Sequence, residues 1–155
     1  MMKRLEVLDW VIEVDVDATR AAYNALPAIS CTCLYCRNYV AASSHLAPEF
    51  LHLCDTLGLD PVKAAEVYEL CRNRDGTHLY GGFYHLVARI LQGADSSLAP
   101  AGRAYARLAE HYAAGFTEDV VLVPAGFPEP VLQLEFDARI PWVLEEKATA
   151  SPCEG

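Results

Sequence analysis

Arg74-Asp75-Gly76-Thr77 contains the strongest turn signal in the chain. Its Asp-Gly pair lies between two segments that contain valine, tyrosine and phenylalanine, and such a pair favours the tight turn of a β-hairpin. The Gly81-Gly82 pair that follows disfavours a helix after the turn. A two-residue turn at the Asp-Gly pair places Glu66 opposite His85 on the neighbouring strand. The sequence therefore predicts a β-hairpin that carries a glutamate–histidine pair.

Patterns on both sides of this hairpin predict further strands and helices. β-branched and alternating apolar residues predict strands at 7–16, 120–123 and 131–136. Apolar residues at helical spacing, with prolines and glycines at the expected ends, predict helices at 17–26, 34–42, 48–57 and 101–115. Together these elements predict an α+β fold: an antiparallel or mixed sheet with a central hairpin and helices on one face.

Length and composition predict one domain. The chain has 155 residues, of which 53% are hydrophobic and 21% are charged, values typical of a globular protein. A chain of this length buries about two-thirds of the surface that it exposes when unfolded, so one core is sufficient. We expect a single globular domain at residues 1–146 and a flexible C-terminal tail at residues 147–155, in which Cys153 has no particular role.

The charge of the chain disfavours two classes of partner. The formal net charge is -9, from 12 Lys and Arg against 21 Asp and Glu, and no basic run interrupts it. Such a charge repels phosphate backbones and anionic lipids, so neither nucleic acid nor a membrane is expected as a partner. Acidic residues also interrupt the N-terminal segment before a signal-peptide core forms. A cytoplasmic protein is therefore expected, whose partner is an unknown protein or small molecule.

Three of the six cysteines lie in the segment Cys31-Thr32-Cys33-Leu34-Tyr35-Cys36. In a reducing cytosol, such a cluster is more typical of a metal site or a redox centre than of disulfides. Thiolates are preferred ligands of zinc and of iron–sulfur clusters, and the Cys-x-x-Cys spacing lets two sulfur atoms reach one ion. The sequence therefore predicts a metal site of zinc type at Cys31, Cys33 and Cys36, with a structural or regulatory role.

A structural zinc ion needs a fourth ligand, and the chain has no second Cys-x-x-Cys motif. The candidates are His45, which follows in a predicted loop, Cys71, and His85, whose ring could be oriented by Glu66. His85 is also the best general-base candidate in the chain if Glu66 lies beside it. The sequence leaves the choice among these three residues open.

Two other interpretations of the cysteines remain open. Cys33 and Cys36 at the start of a helix, beside Arg37, form an arrangement that lowers a thiol pKa, so this pair could be a thiol redox centre. Alternatively, the cysteines are small buried residues of an interaction module. Cys54 and Cys71 in particular are expected to be buried structural residues, because each lies in an apolar pattern.

Four segments carry a family resemblance through their order and spacing. They are Cys31-x-Cys33-x-x-Cys36-Arg37-Asn38, Leu57-Gly58-Leu59-Asp60-Pro61, Tyr80-Gly81-Gly82-Phe83-Tyr84-His85, and Pro128-Glu129-Pro130-Val131-Leu132-Gln133-Leu134-Glu135-Phe136 before Ile140-Pro141-Trp142. With them the chain resembles a family of small uncharacterised bacterial proteins that have a CxCxxCxN motif. The resemblance covers most of residues 7–144. It implies a single-domain protein, and it implies no activity and no catalytic residue.

No common catalytic motif points to an enzyme class. The sequence contains no Gly-rich phosphate loop, no His-Glu-x-x-His helix and no Gly-x-Ser-x-Gly elbow. The adjacent acidic pairs at 118–119 and 145–146 point apart on a strand or helix, so they do not predict a glycosidase-type carboxylate pair. The sequence leaves open whether the protein is an enzyme.

Overall fold

The computed structural model describes residues 1–96 and 105–154, which form a seven-stranded sheet and three α-helices. The strands are β1 (Lys3–Val7), β2 (Trp10–Val14), β3 (Glu66–Arg72), β4 (His78–Gln92), β5 (Ala106–Ala109), β6 (Tyr112–Thr117) and β7 (Val131–Ile140). The α-helices are α1 (Val16–Ala25), α2 (Leu34–Ala41) and α3 (Pro48–Leu57), and two short 3-10 helices lie at Ser43–His45 and Pro61–Lys63.

The long strand β4 organises the sheet. The strand order is β1-β2-β4-β7-β6-β5, with β3 also paired to β4, and every strand pair in the described residues is antiparallel. The first half of β4 pairs with β3 and its second half with β2, while β7 runs along its other edge. The predicted α+β fold with a central hairpin is confirmed, and the hairpin consists of β3 and β4.

Helices α2 and α3 cover one face of this sheet through aromatic packing. The ring of Phe50 in α3 lies 5.2 Å from that of Phe136 in β7, and the ring of Tyr84 in β4 stacks on Phe136 at 5.7 Å. The hydroxyl groups of Tyr39 in α2 and Tyr84 lie 2.6 Å apart. All four side chains are fully buried, so each contributes on the order of 2 kcal/mol of apolar burial to the folded state.

The turn between β3 and β4 is longer than predicted. Residues 73–77 form the loop, which is closed by a hydrogen bond from the Asn73 N–H to the Thr77 carbonyl at 2.7 Å. The Asp75 carboxylate accepts a hydrogen bond from the Thr77 N–H at 2.9 Å, and Gly76 has a positive φ of 88°. The Asp-Gly pair does mark the turn, but the side chain of Asp75 stabilises a five-residue loop instead of the tightest one.

The longer loop changes the register of the hairpin. Glu66 pairs with Phe83, and a bulge between Glu69 and Cys71 shifts the pairing again near the turn. The predicted Glu66–His85 pair is therefore wrong, because a change of loop length moves every residue of β3 relative to β4.

The helix predicted at residues 101–115 is wrong over its described part, and residues 97–104 lie outside the described residues. Residues 106–117 form strands β5 and β6, which are joined by a turn in which His111 has a φ of 64°. In β6, Tyr112, Ala114 and Phe116 are buried at every second position, and the strand pairs with β7. Apolar residues at positions 105, 108 and 112 fit a helical period by chance. The segment forms strands because β6 pairs with β7.

Two predicted strands also differ from the structure. The segment predicted as one strand at residues 7–16 contributes to a hairpin of β1 and β2, which turns at Leu8 with a φ of 54°. The segment at residues 120–123 is irregular, and Leu122 has a φ of 56° and is 65% exposed. Both differences arise at residues with positive φ, which an apolar pattern does not indicate.

The C-terminal residues 151–153 lie against β3. Cys153 forms a disulfide with Cys71, and the two Cα atoms are 4.9 Å apart. The N–H of Arg72 donates to the Ser151 carbonyl at 2.9 Å, and the N–H of Cys153 donates to the Arg72 carbonyl at 2.8 Å. The expectation that Cys153 has no particular role is therefore wrong, while the boundary at residue 146 stays a prediction.

Candidate metal centre

The three clustered cysteines lie where a loop enters α2. Cys33 is the N-cap of this helix, and its Sγ accepts a hydrogen bond from the N–H of Cys36 at 3.4 Å. Cys36 therefore lies in the first helical turn, as predicted, and Cys31 lies in the loop before it. The cap replaces the usual serine or aspartate oxygen with sulfur, which holds the thiol of Cys33 at the positive end of the helix.

The sulfur atoms of Cys31, Cys33 and Cys36 lie within 4.8 Å of one another. Cys31 and Cys33 are exposed, and Cys36 is buried. A tetrahedral zinc ion with Zn–S bonds of about 2.3 Å holds its sulfur ligands about 3.8 Å apart. Small side-chain rotations therefore bring these three atoms to the distances of a shared ion, and the cluster could hold a metal.

The environment of the cluster separates the acidities of two thiols. The backbone N–H of Cys36 lowers the pKa of Cys33, and the neighbouring thiols of Cys31 and Cys36 lower it further. Burial raises the pKa of Cys36, and its hydrogen bonds with the other two thiols act in the same direction. Cys33 is therefore the first of this pair to become a thiolate, which is the form that binds metals and attacks electrophiles.

Asn38 fixes α2 to residues 141–143, the segment that follows β7. This side chain is fully buried, and its Oδ1 accepts a hydrogen bond from the Val143 N–H at 2.9 Å. Its Nδ2 donates to the Pro141 carbonyl at 3.1 Å. The predictions assigned no role to Asn38, although an asparagine on the apolar side of a helix needs partners when it is buried. It holds the helix whose N-terminus carries the cysteines.

Aromatic residues support the same helix from the sheet and from the C-terminal segment. The hydroxyl of Tyr80 donates to the Tyr35 carbonyl at 2.7 Å. The ring of Tyr35 meets that of Trp142 at 5.9 Å, and Trp142 in turn lies 4.7 Å from the ring of His78. The position of α2 is therefore set by β4 and by residues 141–143 before any metal binds.

A buried histidine–glutamate pair lies beside this segment and was not predicted. The Nδ1 of His78 lies 2.6 Å from the Oε2 of Glu69, and their side chains are 3% and 6% exposed. A glutamate in a predicted hairpin gives no sign of burial by itself, so the sequence alone could not indicate this pair. Its contact with Trp142 makes it part of the support of α2.

The three candidates for a fourth ligand lie in different places. Cys71 is bonded to Cys153 and so offers no thiolate in this state. His45 is exposed in the first 3-10 helix, and His85 is buried in β4. Within the described residues, neither histidine nor any carboxylate joins the three sulfur atoms inside 4.8 Å. Of the predicted ligands, the structure brings together Cys31, Cys33 and Cys36 and none of the three candidates for the fourth position.

His85 has a different partner from the predicted one. Its Nε2 lies 3.1 Å from the Oε1 of Gln133 on β7, whereas Glu66 is exposed and lies opposite Phe83. Burial lowers the pKa of His85, and the hydrogen bond with Gln133 offsets only part of this effect. The imidazole therefore favours its neutral form, and the predicted general-base arrangement of Glu66 beside His85 is absent.

A cavity of about 330 Å³ opens beside the cluster. Cys31 and Cys36 form part of its wall, and His85, Lys63 and Glu66 also line it. Much of the remaining wall is apolar and is formed by Leu26, Ile29, Val67 and Phe127. Lys63 gave no sequence signal for a role in the site, because only the fold brings the second 3-10 helix to this cavity. The cavity lies at the low end of the volumes that hold small ligands.

No protein-family model matches the chain, and no curated protein or solved structure matches it. The resemblance to the bacterial family with the CxCxxCxN motif therefore stays a prediction. In the part of the chain that the structure describes, no helix is both long and apolar enough to cross a membrane. Within residues 1–96 and 105–154, the three clustered thiols and the cavity beside them point to a function.

Proposed function

We propose that the protein binds a zinc-type metal ion through the thiolates of Cys31, Cys33 and Cys36. The observation that carries the proposal is the convergence of the three sulfur atoms within 4.8 Å. A loop and a helix cap present them together, and the thiol with the lowered pKa, Cys33, lies between the other two in sequence. Three thiolates from one short segment suit zinc, and the ion would tie the loop to α2.

The role of such an ion would be structural or regulatory. Thiolate ligands become available only as protons leave, so metal binding stabilises the folded loop and depends on pH. Because the described residues supply three donors, a fourth position of a tetrahedral ion would be open to an exogenous ligand. An open position distinguishes this site from a closed structural zinc site with four protein ligands.

The test is zinc per chain on protein purified without a metal-affinity tag, combined with a count of reactive thiols before and after chelation. We expect about one equivalent of zinc, and the chelator should expose the cluster thiols. Cys33→Ser should lose the metal and melt at a lower temperature than the wild type. Cys54→Ala is the matched control, because Cys54 is a free thiol buried outside the cluster. A metal-free wild type that also fails to bind added zinc would refute the proposal.

A second function is favoured by one specific observation, the opposite pKa shifts of Cys33 and Cys36. An exposed thiol of lowered pKa beside a buried thiol of raised pKa fits the attacking and resolving pair of a dithiol reductant. Cys33 would attack a substrate disulfide, Cys36 would displace the product thiol, and an external dithiol would then reduce the new disulfide. Metal-free protein whose two thiols cycle in this way would favour the redox function over zinc binding.

A cytoplasmic location is part of the same proposal, because a reducing compartment keeps the cluster thiols available for metal. The Cys71–Cys153 disulfide is unusual for such a compartment. Alkylation of the protein inside intact cells, followed by mass spectrometry, would show which of the six cysteines are reduced there. Oxidised cluster cysteines in these cells would contradict the zinc site, because metal binding needs their thiolates.

A further inference from the structure

The cavity beside the cysteine cluster contains an ammonium group, that of Lys63, which has no carboxylate partner among the described residues. Lys63 lines this cavity and is half-buried at the end of the second 3-10 helix. In the described part of the chain its Nζ makes one hydrogen bond, to the Tyr23 carbonyl at 2.8 Å, and no ion pair. An ammonium has three donors, so donors remain for a ligand in the cavity.

Hydrogen bonds and aromatic contacts fix several residues of the cavity wall. The Tyr23 hydroxyl donates to the His85 carbonyl at 2.7 Å and accepts from the His85 N–H at 3.0 Å. The ring of Phe127 meets the rings of Tyr23 and His85 at 6.4 and 6.1 Å. The N–H of Ile29 donates to the Val62 carbonyl, which ties the loop before the cluster to the 3-10 helix. Such a wall suits a ligand that enters a preformed site.

Charge restricts which ligand can approach the metal from this cavity. A divalent ion with three thiolates carries a net negative charge, so a further anionic group nearby needs a positive partner. Lys63 supplies that partner, while Glu66 is exposed and contributes negative charge to the same wall. A negative group of the ligand is therefore favoured beside Lys63 and disfavoured beside Glu66.

From this juxtaposition we propose that the cavity binds a small thiol that carries a carboxylate, with its sulfur as the fourth metal ligand and its carboxylate on Lys63. The inference rests on the proposed metal site and names the ligand of its open position. On binding, the thiol would lose its proton to solvent, and its sulfur would take the open position on the metal in place of any water bound there. No electron is transferred in this exchange.

The test uses the full chain loaded with Co²⁺, whose thiolate charge-transfer and d–d absorption bands report the ligand set directly. Under anaerobic conditions, the loaded protein is titrated with 3-mercaptopropionate and, separately, with the neutral analogue 3-mercapto-1-propanol. Both thiols offer the same sulfur, and they differ only in the group that would meet Lys63. We expect 3-mercaptopropionate to bind at least about tenfold more tightly, the effect of one charge-assisted hydrogen bond.

Two variants separate the role of Lys63 from that of overall charge. Lys63→Met keeps the length of the side chain and removes its charge, and it should reduce the preference for 3-mercaptopropionate to within about twofold. Glu66→Gln also changes the charge of the cavity wall by one unit, but it should leave a preference at least as large as that of the wild type. Circular dichroism and the cobalt spectrum without thiol establish that both variants fold and hold the metal.

The outcomes distinguish this inference from the metal proposal. If Co²⁺ gives no thiolate bands, the metal site fails and this inference fails with it. If the bands form but neither thiol changes them, or if both thiols bind equally to the wild type, the ligand inference alone is overturned. Cobalt recovered in the filtrate after thiol addition means that the thiol strips the metal, and this result also overturns it.

Discussion

The Oδ1 of Asn38 lies 2.9 Å from the backbone nitrogen of Val143, and this hydrogen bond joins the helix of the cysteine cluster to the C-terminal segment. The same amide donates to the Pro141 carbonyl, so one side chain satisfies two backbone groups of a segment outside regular structure. The cluster, the helix and residues 141–143 therefore behave as one unit. Damage to this bond should affect the metal site even though Asn38 is not a ligand.

Asn38→Ala should lower the free energy of unfolding by about 2–4 kcal/mol, because it leaves a cavity at a fully buried side chain and removes the hydrogen bonds of two part-buried backbone groups. Urea denaturation checks the stability, and competition with a chelator checks the affinity for zinc, which should fall as well. Asn24→Ala is the matched control, since Asn24 is exposed on α1. A variant as stable as this control would show that the Asn38 bonds do not hold the segment.

The acidity of Cys33 can be measured on metal-free protein by its alkylation rate as a function of pH. Because the backbone N–H of Cys36 stabilises the thiolate, the pKa of Cys33 read from the midpoint should lie below the ordinary thiol value of about 8.5. Mass spectrometry of peptides assigns the rate to this residue. The control is the same residue in the denatured chain, and equal midpoints in the two states would contradict the predicted environment.

The two pKa shifts also predict opposite effects of pH on the stability of the metal-free protein. The lowered pKa of Cys33 stabilises the folded state above the ordinary thiol pKa, and this contribution disappears as the pH falls through the folded-state value. The raised pKa of Cys36 lowers the stability of the folded state as the pH rises above the ordinary thiol pKa, because this thiol ionises in the unfolded chain and stays protonated in the folded one. Cys36→Ala should therefore weaken the loss of stability seen in alkaline urea titrations, and an unchanged pH dependence would count against burial of this thiol.

The sequence predicted local features better than the pairing of distant ones. The start of α2 near Cys33 and the end of α3 at Gly58 depend on nearby residues, and both lie where the sequence pattern placed them. The register of β3 against β4 depends on one loop length, and the Asp75 side chain changed it. An Asp-Gly pair marks the position of such a turn but does not determine how many residues the loop contains.

In the candidate site, too, local features were predicted from the sequence and contacts between distant residues were not. The cluster of Cys31, Cys33 and Cys36 is local, so spacing alone indicated it, and the structure keeps its sulfur atoms together. Lys63 reaches the cavity only because Ile29 bonds to Val62 and the fold brings the 3-10 helix to the cavity wall. Contacts between residues far apart in sequence depend on the complete fold, and no single segment specifies them.

A pair of glycine substitutions measures the effect on stability of the close approach between the end of α3 and the start of α1. Gly58 and Gly76 both have positive φ, but a Cβ on Gly58 would lie 2.7 Å from the Val16 carbonyl oxygen, whereas nothing lies within 4 Å at Gly76. Gly76→Ala should cost about 1–2 kcal/mol through backbone strain alone. Gly58→Ala should cost more, since the contact between α3 and the start of α1 must also open. Equal losses of stability in chemical denaturation would argue against this close approach.

The disulfide between Cys71 and Cys153 links residues that are 82 positions apart in sequence, and it holds residues 151–153 against β3. Cys153→Ser should lower the free energy of unfolding by about 2–5 kcal/mol, because the unlinked chain gains freedom when it unfolds. Zinc content should not change, since neither cysteine belongs to the cluster. Wild-type protein kept in a phosphine reductant during the denaturation is the matched control, and it should show the same loss as the variant. If reduction leaves the stability of the wild type unchanged while Cys153→Ser lowers it, the serine itself is the cause and the bond does not stabilise the fold.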